Sequence, residues 1–303
     1  MSQPRLAVVI LNTNRRDDTL TCLASLSANT YPEISIIVLD NASTDGSVEA
    51  VQAAYPAVQI LELTENKGYA GNNNAGIAAA LEQGADWVVV LNEDTVLDPE
   101  CVNRLVAVGE RDPEIGIIGP LVYHHDEPGV IQSAGGTFGP GWSAVHLGQN
   151  EPDQGQFTTP RRVAWISGCC IMVRREVIEQ VGMLDERFFY YWEETDWCLS
   201  ASEGGWKIVQ VPNAKLWHKG VQRDYRPGPS IAYYNTRNRL LVLSKHHAPL
   251  AVRLRVWAQI GRTLASYSLR PKWRAAKRAD RDAIWRGAQD YRAGRWGKMP
   301  PGL

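Results

Sequence analysis

Two acidic clusters and one histidine hold the residue types in this sequence that could do chemistry. The run Asp86-Trp87-Val88-Val89-Val90-Leu91 is dense in β-branched and aromatic residues and leads into Asn92-Glu93-Asp94. Such a run suits a strand buried on both faces of a sheet, which sets Glu93 and Asp94 at its carboxyl end. Open α/β sheets bind ligands at those ends, and hard oxygen donors there can hold a divalent cation between protein and a diphosphate. The same pair also fits a solvated acidic turn, so other segments must decide. In Glu193-Glu194-Thr195-Asp196 three carboxylates fall within four residues, among Tyr190, Tyr191, Trp192 and Trp197. Mutual repulsion and aromatic surroundings raise a carboxyl pKa, as a general base working near neutrality requires. An acidic helix start gives the same residues without chemistry. His218 stands alone after Leu216-Trp217, and a lone histidine is usually structural.

Positioning these groups takes alternating strands and helices. Leu6 to Leu11, Ile34 to Leu39, Val58 to Leu63 and Trp87 to Leu91 read as strands. Between them, helices are predicted over Thr19 to Ala28 (capped by Asp17 or Asp18), Ser47 to Tyr55 (capped by Thr44-Asp45) and Gly71 to Gln83. Helices of this spacing between strands imply an α/β fold, a mostly parallel sheet flanked on both faces, with its loops opening on one edge. Beyond, a helix with Pro99 at its first position runs to Glu110, and Gly116 to Val122 is a further strand. The Gly- and Pro-rich stretch from His124 to Pro160 reads as adaptable loop, with short strands around Gly135 to Phe138. Val163 to Val173 returns to a buried strand pattern interrupted by Ser167-Gly168-Cys169-Cys170. Arg174 to Gln180 and a segment starting near Ser230 read as helices.

The strand ends are polar. Asp40 opens Asp40-Asn41-Ala42-Ser43-Thr44-Asp45-Gly46-Ser47; its carboxylate could accept from a pyrimidine imide or ribose hydroxyls, or could organise the loop. In Asn66-Lys67-Gly68-Tyr69-Ala70-Gly71-Asn72-Asn73-Asn74 the glycines permit close backbone approach and the asparagines supply donors and acceptors, or caps.

The order Asn12-Thr13-Asn14-Arg15, then Asp40 to Ser47, then Asn66 to Gly71, then Asn92-Glu93-Asp94 resembles family 2 glycosyltransferases of the GT-A fold, bacterial rhamnosyltransferase-like members above all. The similarity continues through Phe188 to Cys198, Leu216-Trp217-His218-Lys219 and Tyr233 to Asn238, and so covers roughly residues 5 to 245. It implies a Rossmann-like mixed sheet with a nucleotide-sugar half (1–115), an acceptor half (116–245) and here a helical extension (246–303). It further implies that Thr13, Asn14 and Arg15 line the nucleotide, Asp40 reads the base, and Asn66, Lys67 and Gly68 frame the nucleotide and diphosphate. Asp94 takes the last position of the metal motif. That motif departs here, with Asn92 where the family has aspartate, and the roles of Asn92 and Glu93 beside the cofactor stay open. His218 falls where relatives supply an imidazole to the cation, Mg2+ or Mn2+. Glu194 occupies the slot of the base, a glutamate in place of aspartate, while Glu193 and Asp196 position the acceptor or bond to backbone. Arg237 and Asn238 fall near the acceptor or diphosphate, and Gly168 between donor sugar and acceptor. The implied reaction is inverting transfer from a UDP- or dTDP-sugar to a hydroxyl of a glycan or lipid-linked saccharide, as in cell-envelope polysaccharide biosynthesis. A nucleotidyltransferase would need a Gly-rich phosphate loop near the amino terminus, and Asn12 to Asp18 contains no glycine. A non-catalytic sugar- or lipid-binding version of the same fold is the remaining rival.

The whole chain bounds the rest. Its net charge of -1 conceals an asymmetry: Leu250 to Leu303 holds 13 Lys+Arg against 3 Asp+Glu, leaving 19 against 30 elsewhere. An acidic body with a cationic tail predicts an anionic partner for the tail. Basic helices punctuated by Trp257, Trp273, Trp285 and Trp296 suit a lipid headgroup region, and equally suit packing on the catalytic domain with a basic face exposed. No nucleic-acid reader module accompanies the charge. Five cysteines without a CxxC pattern, no signal-like leader and no apolar stretch of spanning length predict a cytoplasmic protein with reduced thiols, peripheral on the inner face of the membrane. Cys169 and Cys170 have no histidine base in their segment and read as packing, and Trp165 as a sugar platform or a core residue.

Overall fold

The computed structural model describes residues 3–32, 34–220 and 228–301; Met1, Ser2 and the last two residues of the expected tail lie outside it. The first half alternates as expected: β1 (Leu6–Asn12), α1 (Arg16–Ser27), β2 (Ile34–Asp40), α2 (Ser47–Ala54), β3 (Gln59–Glu62), α3 (Gly68–Glu82) and β4 (Trp87–Asn92). These four strands are mutually parallel, with Asn12 level with Asp40 and Leu11 level with Asn92, so their polar ends share one edge. Then follow β5 (Thr95–Leu97), α4 (Cys101–Gly109), β6 (Ile115–His124), β7 (Ile131–Ser133), β8 (Gly136–Phe138), β9 (Ala144–His146), β10 (Arg161–Arg162), β11 (Cys170–Arg174), α5 (Arg175–Val181), α6 (Glu193–Glu203) and β12 (Lys207–His218). Four helices finish the chain: α7 (Pro229–Lys245), α8 (Leu250–Leu269), α9 (Pro271–Arg274) and α10 (Arg278–Arg292).

The sheet order is β10-β12-β6-β11-β4-β1-β2-β3, so the expected halves share one continuous sheet. β11 runs antiparallel to both β4 and β6, which brings its first residue, Cys170, opposite Leu91 near the polar end of β4. β12 lies parallel to β6 and ends with His218 paired to both Thr95 and His124. Strand alternation divides the apolar residues between two cores. Leu6, Val8 and Ile10 join Trp87, Val89 and Leu91 on one face, under α1 and α4. Ala7 and Val9 join Val88 and Val90 on the other, under α3, α5 and α6.

Local differences from the sequence reading have physical reasons. Asp17 and Asp18 lie inside the first turn of α1 and make no capping bond; they favour that end through the helix dipole. Pro99 sits in the turn before α4, where the Cys101 N–H bonds to the Asp98 carbonyl. The strand expected from Val163 shortens to β11, because Ser167 to Cys169 form a turn whose carbonyl at Ser167 accepts from Cys170. Trp165 is a core residue, 2% exposed, with its indole N–H on the Thr137 carbonyl. All five cysteines are buried.

The tail docks on α7 through a helix contact with no room for a side chain. A Cβ on Gly287 of α10 would stand 2.6 Å from the carbonyl oxygen of Tyr233. Nearby the Tyr233 hydroxyl donates to the fully buried Asp290 at 2.8 Å. Gly287→Val should therefore lower stability by roughly 2 kcal/mol, the range of overpacked core positions. Thermal melting checks the loss, and limited proteolysis should cut first in the tail.

Candidate active site

The loops after β1 and β2 are stitched together. Asn12 Nδ2 donates to Asp40 Oδ1 at 2.9 Å and to Ser43 Oγ at 3.0 Å, while the Ser43 N–H donates to Asp40 Oδ2 at 2.9 Å. Asn14, in the left-handed region at φ 52°, accepts from the Thr44 N–H at 2.7 Å. Thr13 accepts from Asn41, and the Arg15 N–H donates to Asn12. Asp40 thus organises its loop, yet each oxygen keeps lone-pair capacity for a ligand. It lines a small void with Asn12, Val38, Ser47, Val48, Val51 and Ile60. Opposite, Asn66 accepts from the Gly68 N–H, and the Lys67 N–H donates to Asn72. Gly68 is required: at φ +76° its Cβ would stand 2.2 Å from the Phe189 carbonyl oxygen. The nucleotide-side segment is therefore clamped to the loop that leads to Glu193.

At the end of β4 the expected cation ligands meet. His218 Nε2 lies 3.1 Å from Asp94 Oδ1 and 3.4 Å from Asn92 Nδ2. His218 Nδ1 bonds Gln132 Oε1 at 2.7 Å; if Nδ1 carries the proton, Nε2 is left free to offer a lone pair. Asp94 Oδ1 is buried without a hydrogen-bond partner among the described residues. A Cβ on Gly220 would come within 2.7 Å of Asp94 Oδ2 and 2.9 Å of His218 Nε2, so the loop keeps that space clear. An orphaned carboxylate oxygen, a facing imidazole and a cradle between them fit a divalent cation that takes its remaining ligands from a diphosphate. Burial pulls the Asp94 carboxyl up, but a proton carried on His218 Nε2 toward it, with the Arg15 charge, outweighs burial and holds the group below its ordinary range; a cation at this place would take the position of that proton. Glu93 goes the other way: burial and then the Asp94 charge push it up to about 7.

The second carboxylate cluster begins α6, so the acidic-helix-start reading is structurally realised. Trp192 precedes it in the left-handed region. Glu194 packs on Gly168, where a Cβ would stand 3.5 Å from Glu194 Cγ. Gly168 is held by Tyr69, whose hydroxyl donates to its carbonyl at 2.6 Å. The next residue, Cys169, accepts the Asn92 N–H at 2.9 Å. Glu194 and the β4 end therefore flank one short turn, and both Asp94 and Glu194 add to the burial that pushes the Cys169 thiol up to about 12. Burial raises Glu194 too, and raises Glu193 more strongly with the Glu194 charge added.

Three expected site residues are placed elsewhere. Asp196 turns away from Glu194 and binds Lys245 Nζ at 2.6 Å and His246 Nε2 at 2.8 Å, tying α6 to the end of α7. Arg237 is fully buried and its donors go to Asn238, Tyr233 and the carbonyls of Gly297, Arg187 and Phe188. Asn238 donates to the carbonyls of Phe188, Tyr190 and Tyr191. A guanidinium whose five N–H groups are engaged in this way is not free to grip a diphosphate; it braces the 187–192 loop. Sequence reasoning also missed contributors. Tyr69 stands within a motif it had singled out. Lys219 follows His218 and meets Asp18 at 2.7 Å, and Asp18 also holds Arg15 at 3.2 Å, which brings two cations to the Asp94 side. Gln132 carried no signal, since it reaches His218 only through the pairing of β7 with β6.

Arg237→Met should lower stability by about 3 kcal/mol, because a fully buried guanidinium and its bonds to the carbonyls of Arg187, Phe188 and Gly297 are lost together. A diphosphate ligand at this position would instead respond chiefly in the KM for the donor, so melting and kinetics read side by side separate the two roles.

The chain matches the family described as "Glycosyl transferase family 2" over residues 7–182. It is 32% identical over 262 residues to an N-acetylglucosaminyl-diphospho-decaprenol L-rhamnosyltransferase of Mycobacterium tuberculosis (strain CDC 1551 / Oshkosh), covering 77% of this chain and 83% of that one. A dTDP-rhamnosyl transferase of Shigella flexneri is 27% identical, with 73% and 74% covered. Among solved structures, the mannosyltransferase PcManGT from Pyrobaculum calidifontis, in complex with GDP-Man and Mn2+, superposes with a TM-score of 0.61 at 16% identity, over 97% of this chain and 89% of that one. GalNAc-T7 with UDP, GalNAc and Mn2+ gives 0.64 at 15% identity, over 80% and 48%. The fold is GT-A, and the chain belongs to glycosyl transferase family 2 as a hexosyl or deoxyhexosyl transferase.

Proposed function

We propose that this enzyme inverts configuration as it moves a sugar, rhamnose by its similarity to the two relatives above, from a dTDP- or UDP-sugar to a hydroxyl of a lipid-linked saccharide. The observation that carries the reading is the shared turn at Gly168 and Cys169, which sets Glu194 on one side and the Asp94–His218 pair on the other. Asp40 and the loop of Thr13, Asn14 and Arg15 hold the nucleotide. Asp94 and His218 would hold Mg2+ or Mn2+, whose charge offsets that of the departing diphosphate. Arg15 and Lys219, organised by Asp18, add positive charge on the same side. Glu194 takes the proton from the acceptor hydroxyl as that oxygen attacks the anomeric carbon opposite the leaving group. A single displacement of this kind needs one base and a stabilised leaving group.

The tail supports contact with an anionic membrane surface. No described helix is long and apolar enough to cross a membrane. On α8 only Val256 is buried, while Leu250, Leu254 and Leu269 are 67%, 59% and 79% exposed. An amphiphilic surface of this kind suits attachment at the inner face, where a lipid-linked acceptor would be met.

Release of free dTDP or UDP from the nucleotide sugar, dependent on acceptor extract and on Mn2+ or Mg2+, tests the reaction; release unaffected by metal or acceptor would remove it. Glu194→Gln should lower kcat about a thousandfold with nucleotide binding retained. Glu193→Gln should leave the acidic limb of the pH profile in place, since glutamine mimics the protonated acid. That limb follows from the sign of the Glu194 shift: the base works when ionised, so activity falls as pH drops through a pKa raised above 4.5. For the cation, Gln132→Ala frees the His218 ring and should raise the Mn2+ needed for half-maximal rate by about tenfold.

A further inference from the structure

Away from the cleft, α10 presents a groove built from arginines. The helix buries Ala283, Gly287, Ala288 and Asp290. An open groove of about 660 Å³ is lined by Arg286, Gln289, Arg292, Ala293 and Arg295. Two of these arginines are oriented from beneath by one fully buried carboxylate. Asp290 accepts from Arg286 Nε at 3.0 Å, from Arg295 Nε at 2.7 Å and from the Tyr233 hydroxyl at 2.8 Å. Burial alone would raise that carboxyl, but Arg295, Tyr233 and Arg286 outweigh it and keep it ionised. The terminal nitrogens of Arg286 and the whole Arg292 guanidinium have no hydrogen-bond partner among the described residues. Three guanidinium groups against one carboxylate leave two positive charges uncompensated.

The Arg286 fork, fixed through Nε with its terminal N–H groups free, matches the tetrahedral oxygens of a phosphate, while Arg295, held through Nε and Nη2, and Arg292, unpaired among the described residues, add charge beside it. Trp285 adds a second observation. It is 54% exposed, and seven residues, or two helical turns, separate it from Arg292, so both share a helix face. An exposed indole beside arginines suits the boundary between headgroups and acyl chains. We propose that Arg286, Arg292 and Arg295 form a site for the phosphate of an anionic lipid headgroup, with Trp285 entering the interface beside it. The proposal deepens the membrane contact inferred above and rests on it. A soluble phosphate would give no reason for an exposed indole, nor for the exposed leucines of α8.

Flotation of the full-length protein with phosphatidylcholine vesicles, with and without phosphatidylglycerol, tests the site without turnover, so a failure here leaves the sugar-transfer reading untouched. Wild type should float only with phosphatidylglycerol. Arg292→Gln, which disturbs no internal bond, should weaken partition about fivefold. The triple replacement of Arg286, Arg292 and Arg295 by lysine keeps the charge but loses the forks, and should weaken it by at least that factor; circular dichroism and melting establish that it folds. Replacing Arg262 of α8 by glutamine removes the same single charge elsewhere in the tail and should have a smaller effect. An equal or larger loss in that control, unchanged flotation of Arg292→Gln, or no preference for phosphatidylglycerol would overturn the site. Inorganic pyrophosphate raising the melting temperature of wild type but not of Arg292→Gln, with no vesicle binding, would reassign the groove to a soluble phosphate and overturn the lipid.

Discussion

The site depends on one backbone constraint, the reversal of β11 between two strands that run the other way. Because β11 pairs antiparallel with β4, it must begin where β4 ends, and the turn that feeds it crosses the polar edge of the sheet. The bond from Asn92 N–H to Cys169 carbonyl fixes that crossing. Gly168 then packs against Glu194, and Tyr69 holds its carbonyl. A parallel strand in this position would begin at the other edge, and the cation pair and the base would lie a strand length apart.

How much of this was legible in the sequence follows from range. The strand and helix alternation, the carboxylate at the end of β4 and the acidic start of α6 are local patterns, and each stands where apolar periodicity puts it. Asp40, Asp94 and His218 came from motif order; the register sets Asp40 beside Asn12 on the polar edge of the sheet and brings His218 to Asp94 past the end of β4. Arg237, Asn238 and Asp196 have internal partners that the sequence does not reveal, for a shared reason. A buried polar side chain and a ligand-binding one look alike in sequence, and only the partners tell them apart. Arg237 finds its acceptors about 50 and 60 residues away in the chain, at Arg187, Phe188 and Gly297. Gln132 shows the converse, a polar residue in an irregular segment whose importance comes entirely from where β7 is pinned.

The charges within α6 show why its two acidic roles do not interfere. Asp196 lies between Lys245 and His246, and His246 also meets Glu203 at 2.9 Å. Burial lowers the His246 imidazole, but the bonds to Asp196 and Glu203 outweigh it and raise the group above its ordinary value. Two cationic groups thus absorb Asp196, which leaves Glu193 and Glu194 as a separate pair facing the cleft. Among the described residues no cation offsets the charge of that pair, and burial raises both carboxyls. A raised carboxyl at Glu194, the proposed base, is the outcome, and it arises from where the lysine and histidine are placed.

That arrangement extends to the tail. Phe189, Tyr191 and Trp192 adopt left-handed backbone conformations at φ 63°, 67° and 78°. For residues with a Cβ such conformations cost about 1–3 kcal/mol each and persist only where the surroundings over-determine them. The surroundings here are Arg237 and Asn238, which reach the carbonyls of residues 187, 188, 190 and 191 from α7. Arg237 is itself completed by the Gly297 carbonyl of the tail at 2.6 Å, and the Gly297 N–H donates back to Arg187. Since this loop leads directly into Glu193 and Glu194, the docked tail is part of what holds Glu194, the proposed base, in place. The C-terminal helices are therefore structural members of the active site as well as a surface.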